Sequence, residues 1–328
     1  MPSERITAGA LPPPRPERKK MKRAIVTGAT GAIGTALVSS LAKSGTEVLV
    51  IARKGSKRNV NIPDDPLVSV IYCPLEELKN LNNDTGKQYD VFYHLAWAGT
   101  TGAERNDMQL QNRNVSYALD AVALARRFGC HSFVGAGSQA EYGRTEGNLR
   151  PDTPVSPETG YGIAKLCAGQ MTREYAHQLG MRHIWVRVLS VYGPYDTEGS
   201  MVMSTIRQLK KNQVPEFTRA EQMWDYLYSV DAGRAFAALG EKGVDGKIYV
   251  LGSGNARPLS EYIEAIRDIC APGAPIAIGA RPYARNQVMY LCADISDVMR
   301  DTGWKPEVSF EDGIRGLSLT WGWTVGRN

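Results

Sequence analysis

Long apolar runs are missing from this 328-residue chain: no stretch reaches the roughly 18 residues that cross a bilayer as a helix. A helical membrane protein is therefore not expected, and the N-terminus lacks the apolar core of a secretion signal. Cysteines are few. Cys73, Cys130, Cys167, Cys270 and Cys292 are odd in number, scattered, and form no C-x-x-C pair, which fits reduced thiols in the cytoplasm rather than a disulfide framework or a zinc site. The four histidines, His94, His131, His177 and His183, show no ligand spacing, so no metal is expected. A broad basic surface is absent too. The first 23 residues hold seven of the 39 Lys and Arg and two of the 34 Asp and Glu, so 32 of each remain beyond Arg23. A nucleic-acid partner is not implied by so local an excess.

What is present is enough apolar content, 43%, to build a sizeable core without staples. Residues 1–20, with Pro12-Pro13-Pro14-Arg15-Pro16, carry almost no periodic apolar pattern and read as a flexible leader. Pro13 and Pro16 make a P-x-x-P, although a bland Pro-rich extension explains them as well. From Ala24 onward, β-branched runs alternate with helical patterns. The runs are Ala24 to Thr27, Glu47 to Ala52, Val68 to Tyr72, Val91 to Leu95, Phe133 to Ala136 and Ile184 to Leu189. Alternation of this kind predicts an α/β fold with a doubly wound parallel sheet. Ile33, Leu37, Val38 and Leu41 mark the buried face of the first helix, which Gly45 ends. After Pro194 the alternation fails. Lys247 to Leu251 reads as one further strand, followed by a helix with Ser260 as its N-cap. The expected organisation is a dinucleotide-binding domain over 21–193 plus about 225–252, and a smaller, interleaved domain over about 194–224 plus 253–328.

Between the first strand and first helix lies Thr27-Gly28-Ala29-Thr30-Gly31-Ala32-Ile33-Gly34. Glycines there permit a tight turn and a close approach of backbone to a pyrophosphate, whose charge suits the helix N-terminus. Gly28, Thr30, Gly31, Ala32, Ile33 and Gly34 are the candidate cofactor contacts. An NAD site places a carboxylate at the end of the second strand, on the ribose 2′-hydroxyl. Here that place holds Ala52, followed by Arg53, Lys54, Lys57 and Arg58. A guanidinium can pair with a 2′-phosphate, so Arg53 favours NADP(H) over NAD(H).

Tyr161-Gly162-Ile163-Ala164-Lys165 opens a helical stretch running to about Leu179, which puts Tyr161 and Lys165 one turn apart on one face. An ammonium beside a phenol lowers its pKa and makes tyrosine usable as an acid or base. Ser138 follows the strand Phe133 to Ala136, at the end that faces the cofactor crevice, where it can hydrogen-bond the oxygen whose proton Tyr161 handles.

With TGATGAIG, VFYHLAWAG, Asn114-Val115, SQAEYG, YGIAK, VYGP, ADIS and GWKP in place, residues 22 to 323 resemble the extended short-chain dehydrogenase/reductases, the NAD-dependent epimerase/dehydratase family. The resemblance implies a Rossmann domain binding NAD(P), with Leu95 and Ala96 beside the cofactor, and a smaller domain binding a nucleotide-diphosphate sugar. It implies Tyr161 as general acid/base, Lys165 on the nicotinamide ribose, Ser138 on the substrate oxygen, and a homodimer formed through the helices carrying Asn114 and Tyr161.

Dehydratases of the family resemble Thr-Asp-Glu where this chain has Ser138-Gln139-Ala140, and Gln139 and Ala140 cannot transfer the protons of elimination. Glu141 is one position off, which in an extended segment turns its side chain to the opposite face. The stretch Gln222 to Tyr228 resembles the branch that reduces CDP- or dTDP-linked 4-keto-6-deoxyhexoses, such as the abequose and paratose synthases. Trp224 stands there where many epimerases of the family carry a diphosphate-clamping arginine. Another family arginine falls on Ala284, with Arg285 and Arg281 near enough to substitute, and Pro74-Leu75 replaces an acidic residue that meets adenine. Trp97 falls where relatives line the sugar pocket, though a core aromatic fits equally. The candidate substrate contacts are thus Trp97, Ser138, Gln139, Tyr161, Trp224 and Arg285. The leading expectation is an NADPH-dependent 4-ketoreductase; an NAD-dependent nucleotide-sugar 4-epimerase and a non-catalytic cofactor-sensing Rossmann protein are the alternatives.

Overall fold

The computed structural model describes residues 20–84 and 86–324. The Pro-rich leader, with Pro13 and Pro16, lies outside the described residues. In chain order the first half runs β1 (Arg23–Thr27), α1 (Ala32–Lys43), β2 (Glu47–Ala52), β3 (Val68–Tyr72), β4 (Val91–His94), α2 (Met108–Arg127), β5 (Ser132–Ser138) and α3 (Gly160–Gln178). The second half runs β6 (Arg182–Val188), β7 (Ser190–Tyr192), α4 (Met201–Lys210), β8 (Met223–Trp224), β9 (Tyr226–Tyr228), α5 (Ser229–Lys242) and β10 (Ile248–Leu251). It ends with β11 (Arg257–Pro258), α6 (Leu259–Cys270), α7 (Ser296–Thr302) and α8 (Phe310–Thr324).

Seven of these strands form one parallel sheet in the order β10-β6-β5-β4-β1-β2-β3. The doubly wound sheet expected from the alternating pattern is thus present, with Ile248–Leu251 as the further strand. Strands buried on both faces need apolar side chains on both, which is why β1, β2 and β4 read as continuous runs. On one face, Leu37, Val38 and Leu41 of α1 pack with Phe236 and Leu239 of α5. On the other, Ala121, Val122 and Ala125 of α2 and Ala176 of α3 cover Ile25, Phe92 and Phe133. Strand order reverses at β1, so the crevice beyond the carboxyl ends of β1 and β4 is where a ligand fits this topology.

A second core joins Val202 and Ile206 of α4, Ile263 and Ile266 of α6, and Phe310 and Ile314 of α8 around Tyr192, whose hydroxyl donates to the Phe310 carbonyl at 3.0 Å. Ser260 is not the N-cap expected for α6. The helix starts two residues earlier than that cap implies, with Pro258 at the cap, and the amides of Leu259 and Ser260 donate to the carbonyls of Gln222 and Ala220. Backbone from a neighbouring segment satisfies the helix start, leaving a capping hydroxyl nothing to do. The pairs β7 with β9 and β8 with β11 were too short to leave a sequence pattern.

Two buried histidines set an acid limit on this fold. His94 meets the Thr27 hydroxyl at 3.0 Å and His183 the Thr172 hydroxyl at 3.0 Å, and burial lowers both pKa values to about 3. A histidine depressed in the folded state stabilises fully above its unfolded pKa of about 6.5 and loses that contribution as pH falls toward the folded value. Urea denaturation is therefore expected to show stability falling between about pH 6.5 and 4.5, by roughly 2 kcal/mol for each buried histidine. His183→Gln should flatten the slope; an unchanged slope would show that His183 does not resist protonation.

Candidate active site

The β1–α1 turn is built around three glycines with three different reasons. Gly28 has φ +76°, and a Cβ on it would lie 2.6 Å from the Ala96 nitrogen, so this turn presses against the backbone that leaves β4. A Cβ on Gly34 would lie 2.1 Å from the Gly28 carbonyl oxygen, so α1 closes tightly on the turn. Gly31 differs. It caps α1 in extended conformation, and the nearest atoms to a Cβ there are 3.9 Å away or more. Its missing side chain leaves open space over a helix N-terminus that carries no acidic residue in the first turn. Thr30, Gly31, Ala32 and Ile33 are all half-buried around this opening. The donor set fits the pyrophosphate of a dinucleotide: unsatisfied N–H groups, a helix dipole and room for oxygen atoms. Gly31→Val is expected to fold normally, since φ −92° admits a side chain, yet to weaken cofactor binding at least about tenfold by filling the opening. Titration with NADPH and NADH measures this; wild-type affinity would show that the loop does not hold the cofactor.

Arg58, from the loop after β2, lies across this opening. One of its nitrogens donates to the Thr30 carbonyl at 3.2 Å and to the Tyr195 carbonyl at 2.8 Å, joining the glycine turn to the loop after β7. Arg53 stands exposed at the end of β2, with its carbonyl taking the Asn59 amide at 3.0 Å. The sequence marks Arg53 for the 2′-phosphate and Arg58 only as a member of the same basic run; the reach of Arg58 depends on the 3-10 turn that Ser56 caps through the Arg58 amide.

Across the crevice, the segment after β4 is tied to β1 by the Leu95 amide, which donates to the Thr27 carbonyl at 3.2 Å. Next in the chain, the Ala98 amide donates to Asn114 and the Ala98 carbonyl accepts from it, at 3.0 and 2.9 Å. Trp97 is fixed by its indole N–H on Gln111 at 2.8 Å. These anchors set the Trp97 ring edge-on to Tyr161, with centroids 6.2 Å apart. Pocket lining and core were equally open for Trp97 from sequence; the structure puts it against the Tyr161 ring.

Tyr161 sits in the first turn of α3, beside the end of β5. Gly162 makes this approach workable, since a Cβ there would lie 2.3 Å from the Ala140 carbonyl oxygen. The Ser138 hydroxyl faces that of Tyr161 and accepts from the Ala140 amide at 3.2 Å. Burial pushes the Tyr161 hydroxyl above the usual phenol value, against the lowering effects of Ser138 and of the Arg105 guanidinium. The pKa therefore moves opposite to the direction expected from Lys165 alone. Lys165 is itself buried: its ammonium donates to the Ala136 carbonyl at 2.6 Å, lies 3.8 Å from the centre of the Trp97 ring, and is lowered to about 7 by desolvation. The cation nearest the Tyr161 ring is Arg105, 4.3 Å from its centre, whereas Lys165 is 5.8 Å away. Arg105 carried no sequence signal, being one arginine in a polar loop.

Glu141 points to Trp185 and Arg187 of β6, and it does so from a 3-10 turn over residues 139–141 rather than from the extended segment expected. It is fully buried, accepts from Arg187 at 2.7 Å and from Trp185 at 3.0 Å, and holds the Ser138 amide at 2.8 Å. The glycines of β5 make room for this arrangement, since a Cβ on Gly135 or Gly137 would lie within 2.4 Å of the Trp185 ring. Gln139 is half-buried between Ser138 and Ala140. Of the remaining candidates, Trp224 donates to the Ser190 hydroxyl at 2.8 Å from β8, and Arg285 is exposed on the loop before residue 290. The structure thus brings Ser138, Tyr161, Lys165 and Trp97 together beside the glycine turn, with Trp224 and Arg285 supplied separately.

The sequence matches the NAD dependent epimerase/dehydratase family over residues 24–252. CDP-abequose synthase of Salmonella typhimurium is 25% identical over 300 residues, covering 89% of this chain and 96% of that protein. A UDP-glucuronate 4-epimerase of Thermodesulfobacterium geofontis is 28% identical over 322 residues, covering 89% and 93%. Among solved structures, a UDP-N-acetylglucosamine 4-epimerase from Methanobrevibacter ruminantium M1, in complex with UDP-N-acetylmuramic acid, superimposes with a TM-score of 0.82. It is 20% identical, and the match covers 93% of this chain and 99% of that one. With the matched region running from the first strand of the sheet to its last, the chain is an enzyme that belongs to the NAD dependent epimerase/dehydratase family.

Proposed function

We propose that this enzyme uses NADPH to reduce the C4 keto group of a nucleotide-diphosphate 4-keto-6-deoxyhexose. The observation that carries the reading is the end of β2, where Ala52 replaces the ribose-binding carboxylate, Arg53 follows, and Arg58 lies on the glycine turn. A 2′-phosphate would meet cations there, while a 2′-hydroxyl would find no carboxylate partner. The similarity to CDP-abequose synthase supports the same reading.

When bound, the cofactor supplies the hydride that C4 receives. The chain's own residues handle the oxygen. Ser138 hydrogen-bonds O4, and Tyr161 donates its hydroxyl proton to O4, so that the O–H bond of the tyrosine breaks as that of the product alcohol forms. Burial favours the protonated hydroxyl at neutral pH, the state an acid needs. Lys165 holds the cofactor's ribose, and Trp97 limits the sugar pocket. Trp224, which packs on the second core, and the exposed loop residue Arg285 are assigned to the sugar nucleotide, Arg285 to its diphosphate. Dehydration lacks its acid and base, because Gln139 and Ala140 carry no transferable proton and Glu141 is bonded to Arg187.

A second reading, a 4-epimerase, is favoured by the 28% identical relative. There Tyr161 would take and return a proton with no net consumption of cofactor. Incubation with NADPH or NADH and a panel of CDP-, dTDP-, GDP- and UDP-linked 4-keto-6-deoxyhexoses separates the two. Stoichiometric NADPH loss is expected; interconversion of UDP-glucose and UDP-galactose without cofactor loss would overturn the proposal.

We also propose a homodimer in the cytoplasm. Ile163, Cys167 and Met171 form a stripe along α3 that is 51% exposed at Ile163 and 45% at Met171, as a face covered by a second copy would be. The five cysteines are unpaired, and no described helix is long and apolar enough to cross a membrane. Light scattering should give twice the 35.9 kDa chain mass, and Ile163→Glu should halve it; a wild-type monomer would refute the dimer.

A further inference from the structure

We propose that Arg105 is a positioning residue for proton transfer, placed over the Tyr161 ring to stabilise the phenolate that forms when Tyr161 gives up its proton. The proposal deepens the reading of Tyr161 as the proton donor. The Asn106 side chain accepts from the Gly160 amide at 3.0 Å, and the absence of a side chain on Gly160 matters, because a Cβ there would lie 2.8 Å from the Met108 sulfur and 3.2 Å from the Arg105 carbonyl oxygen. The turn at 102–106 is thus docked on the residue immediately before Tyr161.

From this anchor the Arg105 side chain folds back. One nitrogen donates to the Thr100 carbonyl at 2.8 Å, and the guanidinium carbon comes to rest 4.3 Å from the centre of the Tyr161 ring. A planar cation over an aromatic face is a favourable contact with the neutral ring, and it gains strength when the ring oxygen becomes an anion. Arg105 is half-buried, so solvent screens it only in part.

The other groups facing Tyr161 make this charge consequential. Ser138 contributes a neutral hydroxyl, and Glu141 opposes the phenolate from the turn after β5. On α3 itself, Lys165 spends its ammonium on the Ala136 carbonyl and the Trp97 ring. Desolvation lowers Lys165 to about 7, so near neutrality it is charged only part of the time, whereas an arginine keeps its charge throughout. In chemical balance, the O–H bond of Tyr161 breaks, the proton goes to the substrate oxygen, and the electron pair stays on the phenolate under Arg105 until solvent returns a proton.

The test reads Tyr161 directly and uses no sugar substrate, so it stands apart from the reduction assay. Tyrosinate absorbance is followed against pH in the full-length protein and in Tyr161→Phe, and their difference gives the Tyr161 titration. The same pair is measured on Arg105→Met and Arg105→Gln, either of which suffices if the other fails to fold, and on Arg105→Lys. Removing the charge is expected to raise the Tyr161 midpoint by about one pH unit, and Arg105→Lys should recover at least about half of that shift. An unchanged midpoint in the folded neutral variant, or an equal shift with lysine, would each overturn the proposal.

Discussion

Tyr161→Phe is expected to lower turnover by about a hundred- to ten-thousand-fold while cofactor affinity and the folded structure stay close to wild type. The substitution removes one hydroxyl and keeps the ring. That ring is what Trp97 meets edge-on and what Arg105 covers, so the packing around it survives. What is lost is the proton donor that faces Ser138. Loss of rate without loss of NADPH binding, measured side by side, identifies a chemical role. A comparably active phenylalanine variant would move the proton donor elsewhere.

Glu141→Gln should have the second large effect, this time on stability. The Glu141 carboxylate and the Arg187 guanidinium are paired at 2.7 Å with side-chain exposures of 0% and 4%. Removing one charge of a buried pair leaves the other uncompensated, at a cost of about 3–5 kcal/mol. The damage should also reach the site, because Glu141 holds the Ser138 amide at 2.8 Å in a reciprocal capping arrangement with the Ser138 hydroxyl. Urea denaturation should show the loss, and turnover should fall along with it. A variant as stable as wild type would mean that Arg187 finds another partner and that the buried pair does not support the turn.

These two expectations also mark where the residues spoke for themselves and where they did not. The sheet was legible because a strand buried on both faces must be apolar throughout, as β2 is from Val48 to Ala52. The glycine turn was legible because each glycine answers a local demand, a positive φ at Gly28 or a close backbone contact at Gly34. The placement of Glu141 was not legible from a two-residue period, because residues 139–141 fold as a 3-10 turn and not as extended chain. Arg105 was not visible as a site residue, and Arg58 only as one member of a basic run. Their placement depends on partners far along the chain, Tyr195 for one and Gly160 with Tyr161 for the other. No local pattern encodes such meetings. The start of α6 failed for the same reason, since its amides are satisfied by residues 220 and 222 rather than by the neighbouring Ser260 hydroxyl.

The most direct test of C4 reduction follows the hydride itself. NADPH carrying deuterium at the transferable position of the nicotinamide is incubated with enzyme and a CDP- or dTDP-linked 4-keto-6-deoxyhexose, and the sugar product is analysed by mass spectrometry and NMR. One deuterium at C4 for each NADPH consumed is the expected result. Ketone recovered without deuterium and NADPH unconsumed, while the same enzyme interconverts UDP-glucose and UDP-galactose, would contradict reduction and favour the epimerase reading.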